Sequence, residues 1–251
     1  MNQGVINMAN VEKKKKAKIL TISGSALALI IIAFIVIILI FINTGTFLSY
    51  HVYTKSDNGD IRIACVGDSI TYGATVNGWR KNAYPFVLDR MLGSGYNVND
   101  YGHSGTTALM ESDFPYYTTK TFQKSLTFEP DIVIIMFGTN DSKTFNWIDD
   151  ETYIEQYEAL ISMYQSLKTE PEIYIMIPPS LYAEPWGMQK HLIDNNIASD
   201  ILTIATEKHL NLIDLRIPLN NHRELFAKDG CHPNKDGAKL LAETVYNNIK
   251  K

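Results

Sequence analysis

From Ile61 onward, short apolar runs alternate with longer stretches in which apolar residues recur every three or four positions. That is the pattern of strands interleaved with helices. Ile61 to Val66, Asp131 to Phe137, Ile173 to Ile177 and Leu212 to Leu215 predict strands, and a further short strand pattern leads into Gly102-His103-Ser104-Gly105. Tyr84 to Leu92, Glu151 to Leu167, Met188 to His209 and Lys235 to Ile249 predict helices. The runs at 131–137 and 173–177 show almost no polar alternation, as expected of strands buried on both faces. Strands alternating with helices predict a parallel sheet covered on both sides, and in such sheets ligands bind at the carboxyl ends of the strands. Ser69, the Gly138-Thr139-Asn140-Asp141 block and the segment from Pro178 to Trp186 all follow strands, so all three are expected along one edge.

The first 60 residues have a different texture. Ile19 to Ile42 contains no charged residue and is dominated by Ile, Leu, Val, Ala and Phe. A bilayer span takes roughly 20 apolar residues, against about 7–15 for the core of a cleaved signal peptide. No small-residue cleavage site follows, no cysteine offers a lipid attachment point, and no charged residue interrupts the run to give it the polar face of a core helix. The expectation is an uncleaved transmembrane helix over 19–42. The flanking Lys13, Lys14, Lys15, Lys16 and Lys18 keep residues 1–18 in the cytoplasm by the positive-inside rule. Residues 43–60 then form a polar stalk, and a domain over 61–251 lies outside the cell, attached to the membrane only by the anchor.

Charge narrows the partners. Residues 1–50 hold five Lys and one Glu, so of 23 basic and 27 acidic residues 18 and 26 remain, a formal charge of −8. No basic patch of the kind a nucleic acid requires is present. The two cysteines, Cys65 and Cys231, exclude a disulfide framework or a Cys-rich metal site, and both are expected as buried free thiols. His51, His191, His209 and His222 show no metal-ligand spacing, so neither metal nor cofactor is expected. The sequence sets no oligomeric state.

The candidate chemistry lies in four blocks. Asp229-Gly230-Cys231-His232 places a carboxylate three residues before an imidazole on a tight turn, so that the Asp can orient the His. Gly67-Asp68-Ser69 places a hydroxyl at a sharp strand-to-helix turn; alone, such a Ser is most often a helix cap, but with a charge-oriented His it becomes a nucleophile. Gly102, in a glycine-rich loop, is expected to present its N–H to an oxyanion, and the Asn140 amide supplies a second donor. Gly102-His103-Ser104-Gly105-Thr106 begins like a Gly-x-Ser-x-Gly elbow but fails at its fifth residue, which leaves Ser104 as a loop residue.

Gly67-Asp68-Ser69, Gly102, Gly138-x-Asn140-Asp141 and Asp229-x-x-His232 resemble, in order and spacing, the four blocks of the SGNH (GDSL-like) hydrolases. The resemblance implies Ser69 as nucleophile, His232 as base, Asp229 as its orienter, and Gly102 and Asn140 as oxyanion donors beside the Ser69 N–H. It also implies a three-layer α/β/α, flavodoxin-like fold with a five-stranded parallel sheet in the order 2-1-3-4-5. One departure is Asp100, which stands where an Asn often precedes the block-two glycine by two positions.

The resemblance is nearest to the carbohydrate O-acetylesterases of that family. Asp68, Trp79, Tyr84, Tyr182 and Trp186 are the candidate substrate contacts, the rings suiting sugar faces. Other readings are a lysophospholipase or short-chain lipid esterase, a cell-wall O-acetyltransferase, and a silent glycan-binding module. The last has no use for a charge-oriented His beside a Ser.

Overall fold

Five parallel strands form one sheet in the computed structural model, which describes residues 61–250 and, before them, Ile32, Ala33, Ile35 and Val36. They are β1 (Ile61–Gly67), β2 (Tyr96–Gly102), β3 (Ile132–Met136), β4 (Glu172–Ile177) and β5 (Asn211–Asp214), in the spatial order β2-β1-β3-β4-β5. This is the order implied by the resemblance. Ile32, Ala33, Ile35 and Val36 are helical and exposed. The rest of the expected anchor at 19–42, with 1–18 and 43–60, lies outside the described residues. Among the described residues no helix is long and apolar enough to cross a membrane.

The period-2 geometry of a strand sends successive side chains to opposite faces, and here each face builds its own core. Ala64, Val66, Val133, Ile135, Ile173 and Ile175 pack against α5 (Asp150–Gln165) and α6 (Ala198–Glu207). Ile63, Cys65, Ile132, Ile134 and Met176 pack against α3 (Tyr84–Leu92) and α8 (Lys235–Ile249). Both faces being covered explains why the central strands read as continuous apolar runs.

The remaining helices are short. They comprise α1 (Ser69–Tyr72), α2 (Trp79–Asn82), α4 (Lys120–Thr127) and α7 (Arg216–Leu219). The helix expected over 188–209 runs without a break from Lys190 to Glu207, as a π-helical stretch at Leu192–Ile197 that continues into α6, and a 3-10 turn at Pro185–Gly187 precedes it.

Register positions the site. Gly67 lies opposite Gly102 on β2 and Met136 on β3, so β1, β2 and β3 end side by side. The chain order reverses at β1, where β2 lies on one side and β3 on the other, which is where open α/β sheets form a crevice.

Candidate active site

Ser69 follows β1 on a turn that Asp68 caps: the Asp68 carboxylate accepts the Ile70 N–H at 2.8 Å. The Ser69 hydroxyl is thereby held above the strand ends with its side chain toward the loop after β5. There the Asp229 turn delivers the imidazole. His232 Nε2 lies 2.8 Å from Ser69 Oγ, and His232 Nδ1 lies 2.8 Å from Asp229 Oδ2. The other Asp229 oxygen accepts the backbone N–H groups of Cys231 and His232, each at 3.0 Å. Burial works to raise the Asp229 pKa, but the hydrogen bonds from His232 and from the two backbone N–H groups outweigh it and hold the carboxyl at about 2. An ionised Asp229 only accepts, so Nδ1–H donates to it. Nε2 is then left as the acceptor for the Ser69 hydroxyl proton, the tautomer a general base needs.

Asn140 reaches the same cleft from the loop after β3. Its Nδ2 donates to the Thr106 carbonyl at 3.1 Å and, at a longer 3.3 Å, to Asp68 Oδ2. Asp141 braces the loop by accepting the N–H groups of Leu109 and Gly138, both at 2.9 Å.

The expected donor Gly102 is not in the cleft. Its N–H is already given to the Asp100 carboxylate at 2.8 Å, and it is packed so tightly that a Cβ there would lie 2.2 Å from the Tyr72 backbone N. Gly102 is a glycine because the α1 backbone passes over it. Three residues on, Gly105 lines the cleft with Ser69, Asn140 and His232. Its φ of +87° favours glycine, and its N–H has no protein partner among the described hydrogen bonds. The sequence signal for it was present in the glycine-rich loop, but nothing in the spacing separated Gly105 from Gly102. The decoy Ser104 also lines the cleft, yet the neighbouring His103 imidazole is turned to Thr121 Oγ1 at 3.0 Å, so Ser104 has no base.

Residues 65–240 match the GDSL-like Lipase/Acylhydrolase family. The chain belongs to that family. It is 32% identical over 235 residues to an acetylxylan esterase from Xylanibacter ruminicola, covering 82% of this chain and 49% of that protein. It is 21% identical to a multidomain esterase from Ruminococcus flavefaciens, covering 81% of this chain and 31% of that protein. The chain therefore spans half or less of the length of these two relatives. Among solved structures it is similar to an aryl esterase from M. smegmatis (TM-score 0.62, 20% identity, 76% of this chain and 98% of that one). A carbohydrate acetylesterase from Sinorhizobium meliloti gives a TM-score of 0.64 at 17% identity, with 76% and 98% covered. These likenesses show the SGNH-type fold, in agreement with the sheet order.

Four of the five candidate substrate contacts lie elsewhere than expected. Asp68 is buried and spends its oxygens on Ile70 and Asn140, so it orients the site rather than meeting a ligand. Burial raises its pKa to about 6, against the pull of the Ile70 N–H and the nearby His232 and Lys143. Trp79 is packed between Tyr72 (ring centroids 4.8 Å apart) and Phe86 (6.1 Å). Tyr84 is buried in the α3–α8 core beside Cys65. Tyr182 packs on Phe226 and donates its hydroxyl to the Leu219 carbonyl at 3.1 Å. In each case the apolar area of the ring is used by the core, a use that composition alone did not distinguish from binding. Trp186 does line the cleft, its ring 5.8 Å from that of His232.

The cleft has a volume of about 330 Å³ and includes, besides the residues named, Ala74, Thr75, Lys143 and Met188. Cys65 and Cys231 are buried free thiols on opposite faces of the sheet. Among the described residues no group of His, Cys, Asp and Glu is arranged to hold a metal.

Proposed function

We propose that this protein is a serine esterase that removes O-acetyl groups from a carbohydrate. The observation that carries the reading is the unbroken relay from Ser69 through His232 to Asp229, with both contacts at 2.8 Å. In the proposed reaction Ser69 Oγ attacks the ester carbonyl while its proton passes to His232 Nε2. The negative charge that forms on the carbonyl oxygen is held by the N–H groups of Ser69 and Gly105 and by Asn140 Nδ2, whose long bond to Asp68 is the one it gives up. The bond to the sugar oxygen then breaks, and His232 gives its proton to that oxygen so that the sugar departs as an alcohol, leaving an acyl-serine. Water, deprotonated by His232, attacks that ester, and acetate leaves as Ser69 regains its proton.

The acetyl and carbohydrate assignments are supported by the acetylxylan esterase relative and by the cleft. At about 330 Å³ it is at the small end of ligand sites, and its apolar lining comes from Ala74, Trp186 and Met188. Both features suit a short acyl group better than a fatty chain. The apolar run at 19–42 supports a membrane tether with the esterase domain outside the cell, and cell fractionation with protease accessibility tests it. Retention of the full-length chain in the membrane, with the domain cleaved only by external protease, is expected. A shortened, released protein overturns the tether.

Activity is tested with p-nitrophenyl acetate, butyrate and octanoate together with acetate release from acetylated xylan. Acetate preference with glycan deacetylation is the expected result. Octanoate preference moves the function to lipids.

A further inference from the structure

The rim of the cleft exposes aromatic rings that the core does not use. Trp186 is 60% exposed at a φ of +55°, a left-handed conformation that L side chains rarely adopt. Its loop is tied down on the segment after Asn140: the Thr144 N–H donates to the Gly187 carbonyl at 2.9 Å, and Gln189 Nε2 donates to the Ser142 carbonyl at 3.1 Å. Phe145, 64% exposed, stands against Gly187, where a Cβ would be 3.8 Å from its ring. The Lys143 ammonium lies 5.6 Å from the Phe145 ring centroid and 3.5 Å from Asp113. Next to Asp113, Phe114 is 38% exposed and borders Gly105 across the cleft, its ring edge-on to His103 at 5.2 Å. Exposed rings thus follow the mouth of the cleft from Trp186 through Phe145 to Phe114.

We propose that this rim is a platform for a glycan chain extending beyond the sugar whose ester sits at Ser69, so that the substrate is an oligosaccharide or polysaccharide rather than a free sugar. The proposal rests on the esterase reading. Exposed rings offer flat apolar surface to the C–H faces of successive sugars, and an exposed apolar patch continuous with a cleft marks a binding surface. Thr75 and Ser104 also line the mouth and set polar side chains beside the apolar surface of Trp186. The alternative occupant, a lipid surface, fits less well. Asp113 beside Phe114 and Glu184 in the Trp186 loop are both exposed. A bilayer pressed onto the rim would strip water from these carboxylates, whereas an uncharged polysaccharide leaves them hydrated.

The test uses the full chain with acetylated xylo-oligosaccharides of one to six sugars, kcat/KM being taken relative to p-nitrophenyl acetate. The relative kcat/KM is expected to rise with chain length, and Phe145→Ala and Phe114→Ala are each expected to flatten the rise, raising KM for the longer substrates by about three- to tenfold. Binding of the same oligosaccharides to Ser69→Ala, measured by calorimetry, reads the platform without turnover and is expected to tighten with length. Length-independent binding and turnover, or a length dependence that both variants retain, overturns the platform. So does a loss in the variants that appears only in binding to phosphatidylcholine vesicles. Failure of the esterase reading has a separate signature, the absence of Ser69-dependent hydrolysis of p-nitrophenyl acetate.

Discussion

At the scale of single residues, what matters is which N–H and which oxygen each group has already spent. Gly102 has given its N–H to Asp100, while Gly105 keeps one free over the cleft. The two glycines therefore fail differently when changed. Gly102→Ala forces a Cβ into the α1 backbone and is expected to cost about 1–3 kcal/mol of stability, seen as a lowered Tm. Asn140→Ala is expected to leave Tm nearly in place and to lower kcat by about 10²–10³ through loss of one oxyanion donor. Steady-state kinetics beside calorimetry separates the two. In the proposed relay Ser69 and His232 act as one unit, so Ser69→Ala, His232→Ala and the double variant are expected to fall to nearly the same residual rate. Additive losses in the double variant contradict the relay.

At the scale of elements, the strands were legible because two buried faces leave continuous apolar runs, and the turns bearing Ser69 and Asn140 were legible because each follows a strand end. β2 was harder to bound, since Asn97, Asn99 and Asp100 are polar yet buried. The π-helical turn at Leu192–Ile197 and the 3-10 turn carrying Trp186 left no mark in the apolar spacing. The π-helical turn takes the same three-to-four-residue pattern as the rest of the helix expected over 188–209. The aromatic candidates failed for a related reason: Trp79 and Tyr84 lie on helices whose apolar side faces the core, whereas Trp186 lies on a loop. A capping residue links one element to the site. Asn234, two residues after His232, accepts the N–H groups of Asp236 and Gly237 at 2.9 and 3.1 Å and donates to the Glu224 carbonyl at 2.7 Å. Asn234→Ala is expected to cost about 1 kcal/mol, a Tm loss of about 2–4 °C for a domain of this size, with Asn234→Asp recovering most of it.

At the scale of the whole molecule, buried carboxyls give the stability a pH dependence of two signs. Burial raises Asp100 to about 8, the Gly102 N–H only partly opposing it. Between about pH 4, where an unfolded Asp ionises, and pH 8 the unfolded chain binds fewer protons at this site, so stability declines as pH rises. Asp100→Asn keeps an acceptor for Gly102 and removes the ionisation. It is expected to raise Tm by several degrees at pH 8, the gain shrinking toward pH 4; an equal gain at both ends contradicts the buried acid. Asp229 works in the opposite sense. Held at about 2 by its hydrogen bonds, it contributes stability above about pH 4 that is lost as pH falls toward 2. The fold thus carries carboxyls of both kinds: Asp229 kept ionised against its imidazole, and Asp100 kept neutral beneath the strand ends.

In the proposed function Ser69, activated by His232 and Asp229, cleaves an acetyl ester of a carbohydrate. Acetate release from acetylated xylan by the full chain, with Ser69→Ala in parallel, tests it most directly. Release is expected to fall by about 10⁴-fold or more in the variant. Equal release from both proteins, or none from either alongside a Ser69-dependent preference for octanoate, contradicts it.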